Sequence, residues 1–472
     1  PANTLASGGY EVANSVRLDG TSAYLKKTPT SAGNRQKWTW SGWVKRSSNF
    51  AAQQTLFGVS ASSSTYHLLY FSGNDTITHN YQGTYIETNA KYRDPSAWYH
   101  IVLAVDTTQG TNTNRLKLYV NGTQVTSFSA SGYPSQNTEM NINNTVQHDV
   151  ANSGASYNHY INGYMAEVCF INNQQLDPTS FGEFDEDSGI WKPIDVSGLT
   201  FGTNGFYLDF EDSSALGDDV SGNGNDFTVN NLTAIDQSTD TCTNNFATMN
   251  PLDGSQYQTL SEGNLKIVNS SAASSFGLTK GSIGVTKGKW YWEVKYTYGN
   301  AGHFGFFKVS NTAITNEEDI NGNLFTVAGQ GNGVFTGIAF RIDASGNIKH
   351  VFNGDVADTN VDFSSGDTLG LAFDGDSGKL YAFKNGAELT GQNIGAGTSL
   401  MSAVTMDDIF LPFVSNGDGG SGTKTGTSEF NFGSPPFAIS SGNTDGDGYG
   451  NFEYAVPSGY YSLNTKNLAE YG

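Results

Sequence analysis

The chain has 472 residues, of which 57 are glycine, 13% are aromatic and only 15% are charged. This composition excludes a helical bundle and a disordered chain, and it favours an all-β protein of roughly two to four domains. The formal net charge of −21 comes from 45 acidic and 24 basic residues, and no basic run interrupts it. We therefore expect no nucleic-acid partner, because phosphate binding needs a basic surface.

Cysteine usage and hydropathy narrow the class further. Cys169 and Cys242 are the only cysteines, so the chain is not a disulfide scaffold, although a bridge between the two stays open. No apolar run approaches the roughly 18 residues of a membrane-spanning helix, and no signal peptide opens the sequence. We expect neither membrane insertion nor Sec-dependent export.

The chain up to residue 88 consists of short alternating segments. Residues 1–14 are small and polar, which predicts either an arm or a first edge strand, and further strands are predicted at residues 15–25, 37–46, 56–59, 66–71, 77–81 and 85–88. Short strands separated by Gly, Asn and Ser turns predict a β-sandwich. The tryptophans of these and later strands are expected to lie in the core, namely Trp38, Trp40, Trp98, Trp290 and Trp292.

A hairpin pattern follows and recurs later. Residues 98–122 predict two strands joined by a polar loop, and Asn121-Gly122 then suits a tight turn into a third strand over residues 124–128. The same pattern recurs at residues 368–386, and a weaker copy lies at residues 337–354. Either convergent hairpin sequences or a relationship between domains explains the repeat. Both alternatives imply antiparallel sheets.

Five motifs follow one another within residues 10–185. They are VRLDG at 16–20, WTWSGWVK at 38–45, WYH at 98–100, LYVNG at 118–122, and INGYMAEVCF at 161–170 followed by LDP at 176–178. Their order resembles the laminin-G-like, concanavalin-A-like family, which implies a jelly-roll sandwich. Many members hold Ca²⁺ with an acid in a G-x-I-D-E-V strand. Ala166 occupies that acid position here, and Glu167 is expected to face the other side of the sheet.

The second half of the chain carries another set of strand motifs. They lie at residues 288–296, 303–309, 334–340, 367–374, 379–386 and 409–414. This order resembles SPRY domains, which implies a second concanavalin-A-like sandwich that binds partners through its loops and performs no catalysis. The fold class we predict is therefore all-β, with two jelly-roll sandwiches. The predicted domains are residues 1–185, a connector with short strands over 186–254, residues 255–435, and a tail over 436–472 that packs on the second sandwich.

The combination of these domains with TNNFATMNPL at 243–252 and TLSEGNLK at 259–266 resembles virion structural proteins of marine tailed bacteriophages. The resemblance implies a tail fibre, head appendage or decoration component on the virion surface, made in the host cytoplasm. The partners it implies are other virion proteins. We also expect a homo-oligomer, and glycans of the host surface or the environment are candidate ligands.

Catalytic and metal motifs are incomplete. Jelly-roll glucanases place paired acids on one strand, and the nearest run, Glu183 to Asp187, falls in a turn-rich segment and predicts a solvated loop. No nucleophile elbow is present, and the seven histidines lack metal-ligand spacing. Residues 445–450 begin like a calcium-binding EF-hand loop. Because oxygen ligands are missing at Tyr449 and Val456, Asp445 and Asp447 are calcium candidates without a complete motif, and no cofactor is predicted.

Sugar binding requires exposed aromatic faces beside amide and carboxylate groups. Three loops have this composition, and their candidate residues are Tyr81, Tyr85, Tyr133, Tyr157, Asn158, His159 and Tyr160. The sequence thus predicts a non-enzymatic virion-surface protein that binds virion proteins and glycans. A receptor-binding tail fibre is the alternative in the same setting, and a stalk, which the sequence lacks, would favour it. A polysaccharide-degrading enzyme is the alternative from another class.

Overall fold

The computed structural model describes residues 9–47, 50–154, 157–254, 257–271, 277–298, 302–309, 337–343, 345–352, 355–416 and 424–472. Strands in antiparallel sheets dominate these residues, which confirms the predicted all-β class. The described residues up to Asn245 form one compact unit, and those from Phe246 onward form another. Neither described helix is long and apolar enough to cross a membrane.

The described strands of the first unit belong to two large sheets and one two-stranded sheet. They are β1 (Ser15–Asp19), β2 (Tyr24–Lys27), β3 (Lys37–Arg46), β4 (Gln54–Ser62), β5 (Thr65–Phe71), β6 (Ile77–Tyr81), β7 (Thr84–Thr88), β8 (Trp98–Asp106), β9 (Leu116–Val120), β10 (Thr123–Gln124), β11 (Phe128–Ser131), β12 (His148–Val150), β13 (Asn162–Asn172), β14 (Gly182–Phe184), β15 (Trp191–Pro193), β16 (Phe206–Leu208), β17 (Thr228–Asn230) and β18 (Gln237–Ser238). A short helix, α1 (Asn112–Arg115), and two 3₁₀ turns (Pro178–Ser180, Ala234–Asp236) complete it.

Two eight-stranded sheets face each other across the core of this unit. Sheet I has the order β10-β9-β8-β3-β13-β1-β18, with β16 paired to β13, and sheet II has the order β11-β7-β6-β5-β4-β12-β2-β17. Trp38, Trp40 and Met165 of sheet I and Phe57 and Leu69 of sheet II belong to one fully buried apolar cluster. The predicted core positions of Trp38 and Trp40 are therefore confirmed.

The segment predicted as a connector is part of the first sandwich. Strand β16 pairs with β13, β17 with β2 and β18 with β1, and the boundary between the units falls at residues 245/246. The structure differs from the predicted 186–254 connector because Phe206, Leu208 and Phe227 insert into the same core as Trp38. Such short apolar segments pair over long range, which sequence periodicity does not reveal.

A β-bulge in β13 changes the face of Glu167. The register between β13 and β3 shifts between Ala166 and Cys169, and Glu167 has a φ of 52°. The bulge turns Glu167 to the outer side of sheet I, where Tyr207 donates a hydrogen bond to its Oε2 at 2.7 Å. Because Ala166 also packs outside the main core, the expectation that the two residues face opposite sides is wrong.

The repeated hairpins share their turn chemistry. Strand β8 pairs with β9, and in the second unit residues 368–374 pair with residues 379–384. An Asn-Gly turn follows the second strand of each pair, and its asparagine has a positive φ, 46° at Asn121 and 47° at Asn385. Each asparagine Oδ1 accepts a hydrogen bond from the first strand of the pair, from the N–H of His100 and of Thr368 respectively. The Asn-Gly pairs thus form the predicted turns. The third strand after Asn121 is shorter than predicted, because β10 ends at Gln124 and Phe128 pairs in sheet II.

The second unit contains two further sheets. Its elements are β19 (Met249–Gly254), β20 (Gln258–Ser261), β21 (Lys266–Ser271), β22 (Gly277–Gly281), β23 (Lys289–Tyr298), β24 (Gly302–Lys308), β25 (Gly337–Ile342), β26 (Asn347–Phe352), β27 (Asp355–Asp362), β28 (Thr368–Asp374), β29 (Lys379–Lys384), β30 (Ala387–Glu388), β31 (Phe410–Asn416), β32 (Lys424–Asn431), β33 (Tyr461–Ser462) and α2 (Thr465–Tyr471). The predicted strand at residues 334–340 begins outside the described residues. The Asn353-Gly354 turn of the weaker hairpin copy also lies outside them.

The sheets of the second unit enclose an aromatic core. Sheet III has the order β19-β22-β31-β24-β25-β26-β27, and sheet IV has the order β20-β21-β32-β23-β28-β29-β30. Trp290 and Trp292 of β23 are fully buried with Phe306 and Phe373, whose rings stack at 4.1 Å. The C-terminal tail lies against sheet IV, where β33 pairs in parallel with β23.

Candidate functional site

The outer surface of sheet II carries a row of aromatic side chains. Leu69 and Phe71 of β5 point into the core, so Tyr66, Leu68 and Tyr70, at the alternate positions, lie on the opposite face. The outer face of sheet I differs, because later segments of the chain bury it in two further apolar clusters. Within the first unit, sheet II therefore presents the more accessible broad face.

One line of paired residues crosses this face. The register places Asp149 of β12 opposite Gly58, Gly58 opposite Leu68, Leu68 opposite Asn80, and Asn80 opposite Tyr85. Paired residues of neighbouring strands share a face of the sheet. A carboxylate, an amide and a tyrosine that is 39% exposed therefore lie along one row.

The loop between β12 and β13 adds a second aromatic group to the face. Tyr157 is 37% exposed, and its hydroxyl donates to the carbonyl of Ser63 at 3.1 Å. Its ring packs edge-on against Tyr66 at 5.9 Å and stacks with His159 at 5.8 Å. The N–H of Thr55 donates to the carbonyl of His159 at 3.1 Å. These contacts hold the Tyr157 ring beside the β4–β5 turn.

Asp149 is the most unusual polar residue of this face. It is only 1% exposed, and burial raises its pKa to about 6. Its Oδ1 accepts a hydrogen bond from Gln147 at 2.8 Å, whereas Oδ2 has no hydrogen-bond partner among the described residues. A Cβ on Gly154 would lie 3.1 Å from this oxygen. The Gly154 backbone thus covers Asp149 closely, as only glycine permits.

The remaining polar groups of the face support its tyrosines. Burial raises the pKa of Tyr70, and hydrogen bonds with Asn80 and Thr78 partly oppose this rise. Glu87 on β7 lies opposite Thr78 and accepts a hydrogen bond from the Thr76 hydroxyl at 2.7 Å. Exposed aromatic faces next to amide and carboxylate groups can pack on a sugar ring and hydrogen-bond its hydroxyls.

The predicted sugar-binding residues divide into two groups. Tyr85, Tyr157 and His159 belong to the outer face just described. Tyr81 and Tyr133 instead pack against the core of the first unit, which corrects their expected exposure. Tyr81 shares the inward side of β6 with Ile77, and its ring lies 5.4 Å from the buried His67. Strand alternation, rather than loop composition, decides the position of Tyr81.

Asn158 and Tyr160 lie in the same loop as Tyr157. Asn158 is exposed and has a φ of 50°, and its Oδ1 accepts a hydrogen bond from the Tyr160 hydroxyl at 3.4 Å. The Tyr160 ring lies 5.9 Å from that of Tyr24 on β2. The loop therefore carries two aromatic contacts, one toward the β4–β5 turn and one toward β2.

Asp445, a calcium candidate, has a structural role in the second unit. Its two oxygens accept five hydrogen bonds, from the N–H groups of Asp447, Tyr449 and Ser462 and from the side chains of Ser462 and Asn467. Asp447 accepts a hydrogen bond from the Tyr471 hydroxyl at 2.9 Å. Among the described residues, no group of three or more His, Cys, Asp or Glu is placed to hold a metal ion.

The acidic run at residues 183–187 begins in β14 and continues into the turn that leads to β15. Lys192 forms ion pairs with Glu183 at 3.3 Å and with Asp185 at 3.2 Å. Hydrogen bonds from Ser188 and Lys192 lower the pKa of Asp185 to about 2. A glycosidase acid needs a raised pKa, so this loop lacks the chemistry of a catalytic acid.

A buried serine–histidine contact also lacks catalytic geometry. Ser41 Oγ lies 2.8 Å from His100 Nε2, and the indole N–H of Trp191 donates to His100 Nδ1 at 2.9 Å. Since Nδ1 accepts, the proton of the neutral ring is on Nε2, which donates to Ser41. Burial lowers the pKa of His100 to about 3. His100 therefore cannot take the Ser41 proton as a general base.

Comparison with known proteins supports the first-unit resemblance. Residues 19–176 match the Laminin_G_3 family model, described as the concanavalin A-like lectin/glucanases superfamily. This match confirms the laminin-G-like character of that region. No curated protein matches the chain.

Solved structures similar to the chain include SPRY domains. The TRIM65 PSpry domain has 12% identity, with 39% of this chain and 88% of that chain covered and a TM-score of 0.28. The SPRY domain of human HERC1 has 16% identity, with 39% and 96% covered and a TM-score of 0.25. Stonustoxin has 21% identity, with 39% and 27% covered and a TM-score of 0.28. None of these likenesses bears on function.

Sequence reasoning did not identify Asp149 or Tyr66 as part of the site. The only available signal was alternation, since Asp149 lies between His148 and Val150 of a short strand and Tyr66 precedes the inward His67. Their positions on one face depend on the pairing of β12 with β4 and of β4 with β5. Long-range pairing of this kind is not encoded in local periodicity.

Proposed function

We propose that this chain is a non-enzymatic component of a tailed-phage virion surface and contacts glycans through the outer face of sheet II. The observation that carries the glycan part is the placement of Tyr66, Tyr85 and Tyr157 on one face beside the Asn80 amide. Aromatic rings bury large apolar areas at little conformational cost, and a neighbouring amide supplies directional hydrogen bonds.

The virion setting of the proposal rests on the sequence motifs at residues 243–252 and 259–266 and on the order of the two β-rich regions. A particle surface requires folded modules that offer large faces to neighbours. Two compact units of antiparallel sheets meet that requirement. Other virion proteins, including further copies of this chain, are the proposed partners.

Removing the two most exposed tyrosines of the face is expected to weaken glycan binding. The double variant Tyr85→Ala/Tyr157→Ala loses two aromatic contacts of about 0.5–1.5 kcal/mol each, which corresponds to a loss in affinity on the order of tenfold or more. The measurement is binding of the full chain to an array of bacterial and algal polysaccharides, followed by titration with the best ligand.

The matched control for this experiment is Phe184→Ala. Phe184 is 51% exposed and lies on the small β14–β15 sheet, so its removal alters surface hydrophobicity without touching sheet II. The control should bind like the unmodified chain. Equal binding by the double variant would contradict the glycan part of the proposal, as would the absence of any array ligand.

The virion part is tested by electron microscopy. Antibodies against the chain are expected to label the surface of intact phage particles. Label on the head supports a decoration or appendage role, whereas label confined to the fibre tips would identify the receptor-binding alternative. Particles free of label, together with absence of the chain from purified virions by mass spectrometry, would contradict the virion role.

A further inference from the structure

Three side chains with complementary chemistry meet in the interior of the first unit. Lys45 of β3 and Asp240 are both fully buried, and Lys45 Nζ lies 2.7 Å from Asp240 Oδ2. The same nitrogen lies 2.6 Å from Oδ1 of Asn245. An amine, a carboxylate and a primary amide are therefore in direct contact, and the proposed function uses none of them.

Neighbouring groups fix the orientation of all three side chains. The Asn245 amide donates from Nδ2 to the carbonyl of Ser96 at 2.6 Å, so its oxygen is the atom that faces Lys45. The indole of Trp98 donates to Asp240 Oδ1 at 3.2 Å, which leaves Oδ2 directed at the amine. The surroundings are aromatic, and Lys45 Nζ lies 5.5 Å from the centre of the Tyr164 ring.

This geometry is close to that required for nucleophilic attack. A carbonyl carbon lies about 1.2 Å from its oxygen, so Cγ of Asn245 is within about 4 Å of the Lys45 nitrogen. Reacting atoms in a near-attack arrangement are roughly 3–3.5 Å apart.

We infer that Lys45 and Asn245 form an intramolecular isopeptide bond with Asp240 as the catalytic proton carrier. Asp240 takes a proton from the Lys45 ammonium, and the neutral amine attacks Cγ of Asn245. The new C–N bond forms as the π-electron pair of the Asn245 carbonyl moves to its oxygen. The tetrahedral intermediate then collapses with loss of Nδ2, which leaves as ammonia after Asp240 returns the proton. An ammonium and a primary amide become a secondary amide and an ammonium ion, without any oxidant or cofactor.

The test is the mass of the unmodified full chain. Loss of ammonia lowers the intact mass by about 17 Da, and denatured tryptic digests should contain a branched peptide that joins the segments around Lys45 and Asn245. Trypsin should not cleave after Lys45, since acylation removes its charge. A full-length mass with normal cleavage after Lys45 overturns the inference, and so does an ammonia loss that maps to any other residue.

Three substitutions distinguish a loss of bond formation from a failure to fold. Lys45→Arg keeps a cation beside Asp240 but supplies no amine nucleophile, and Asn245→Asp removes the amide leaving group. Asp240→Asn removes the proton carrier. All three should show the full mass, and the urea transition of each variant identifies any that fails to fold. A branched peptide in Lys45→Arg or in Asn245→Asp would overturn the assignment of the reacting residues, and one that forms in Asp240→Asn would overturn the role of Asp240.

The chain provides an internal control for the geometry. Lys37 lies 3.1 Å from Asp106 Oδ2, and Gln109 supplies a nearby amide. Nε2 of that amide donates a hydrogen bond to Asp106 Oδ2 at 2.9 Å, so its oxygen is not the atom held at the carboxylate, and Lys37 is 35% exposed. Trypsin should therefore cleave normally after Lys37 in the same digest in which the Lys45 site is blocked.

Discussion

Replacing Glu293 with alanine is expected to lower the free energy of unfolding of the second unit by about 3–5 kcal/mol. The side chain is fully buried. Its Oε1 accepts hydrogen bonds from the N–H of Tyr454 at 2.9 Å and the hydroxyl of Tyr291 at 3.2 Å. Its Oε2 accepts from the N–H of Glu453 and from Asn431, both at 3.1 Å. Each buried donor left unsatisfied costs about 1–3 kcal/mol.

The variant should also release the C-terminal tail, because two of the four donors are backbone groups of that segment. Urea unfolding of the full chain, followed by tryptophan fluorescence, measures the stability change. Tryptic cleavage after Lys466, whose side chain is buried at 8% exposure in the tail helix, measures the release. Cleavage should accelerate in Glu293→Ala.

The matched control is Glu429→Ala on the neighbouring strand β32. Glu429 forms a partly exposed ion pair with Lys266 at 3.7 Å, and such pairs contribute about 0–1 kcal/mol. If Glu293→Ala costs no more than this control, Glu293 does not hold the tail in place.

Acid is expected to unfold the first unit through its buried histidines. Burial lowers the pKa of His79 and of His100 to about 3 and that of His148 to about 4, and burial with repulsion from the neighbouring histidines lowers the pKa of His67 as well. All four stay neutral in the folded state at pH 5, whereas an unfolded histidine protonates near pH 6.5. Their contribution to stability is present above pH 6.5 and is lost as the pH falls towards their folded pKa values.

Two carboxyl groups act in the opposite direction. Burial raises the pKa of Glu167 to about 7 and that of Asp149 to about 6, so both bind protons in the folded state before the unfolded chain does. Between pH 6 and 4.5 the unfolded state holds about four histidine protons that the folded state lacks, and the folded state holds about two carboxyl protons that the unfolded state lacks. The net difference of two protons lowers the free energy of unfolding by about 3 kcal/mol per pH unit.

Urea titrations of the full chain at several pH values between 7.5 and 4.5 measure this slope. In His100→Gln the amide can still accept from Trp191 and donate to Ser41, but it does not titrate. That variant should reduce the slope by about 1.4 kcal/mol per pH unit. A transition of the first unit that does not move between pH 6 and 4.5 would contradict the prediction.

The features predicted correctly from the sequence are those that depend on neighbouring residues. Alternation placed Trp38 and Trp40 in the core, and the Asn-Gly pairs at residues 121 and 385 identified both hairpin turns. The all-β class followed from the same local patterns. Each of these depends on backbone preferences and on a period of two residues, which a single sequence displays directly.

The features that sequence reasoning missed depend on long-range pairing. The pairing of Phe206 to Leu208 with β13, the bulge at Glu167 and the inward side chain of Tyr81 all follow from strand register. Register is set by the packed core, and a shift of one residue exchanges the two faces of a strand. For the same reason, composition suggested the loop at residues 157–160 as a candidate site but could not place Asp149 beneath it.

The pairing of β18 with β1 has a mechanical consequence. Ser15 pairs with Ser238 and Val16 with Gln237 in an antiparallel ladder, so the polypeptide enters and leaves the first unit at the same end. Tension between residues 9 and 245 would break the hydrogen bonds between β1 and β18 one after another, instead of loading all of them at once in shear. The first unit should therefore unfold at low force unless a covalent bond holds β18 and the residues that follow it in place.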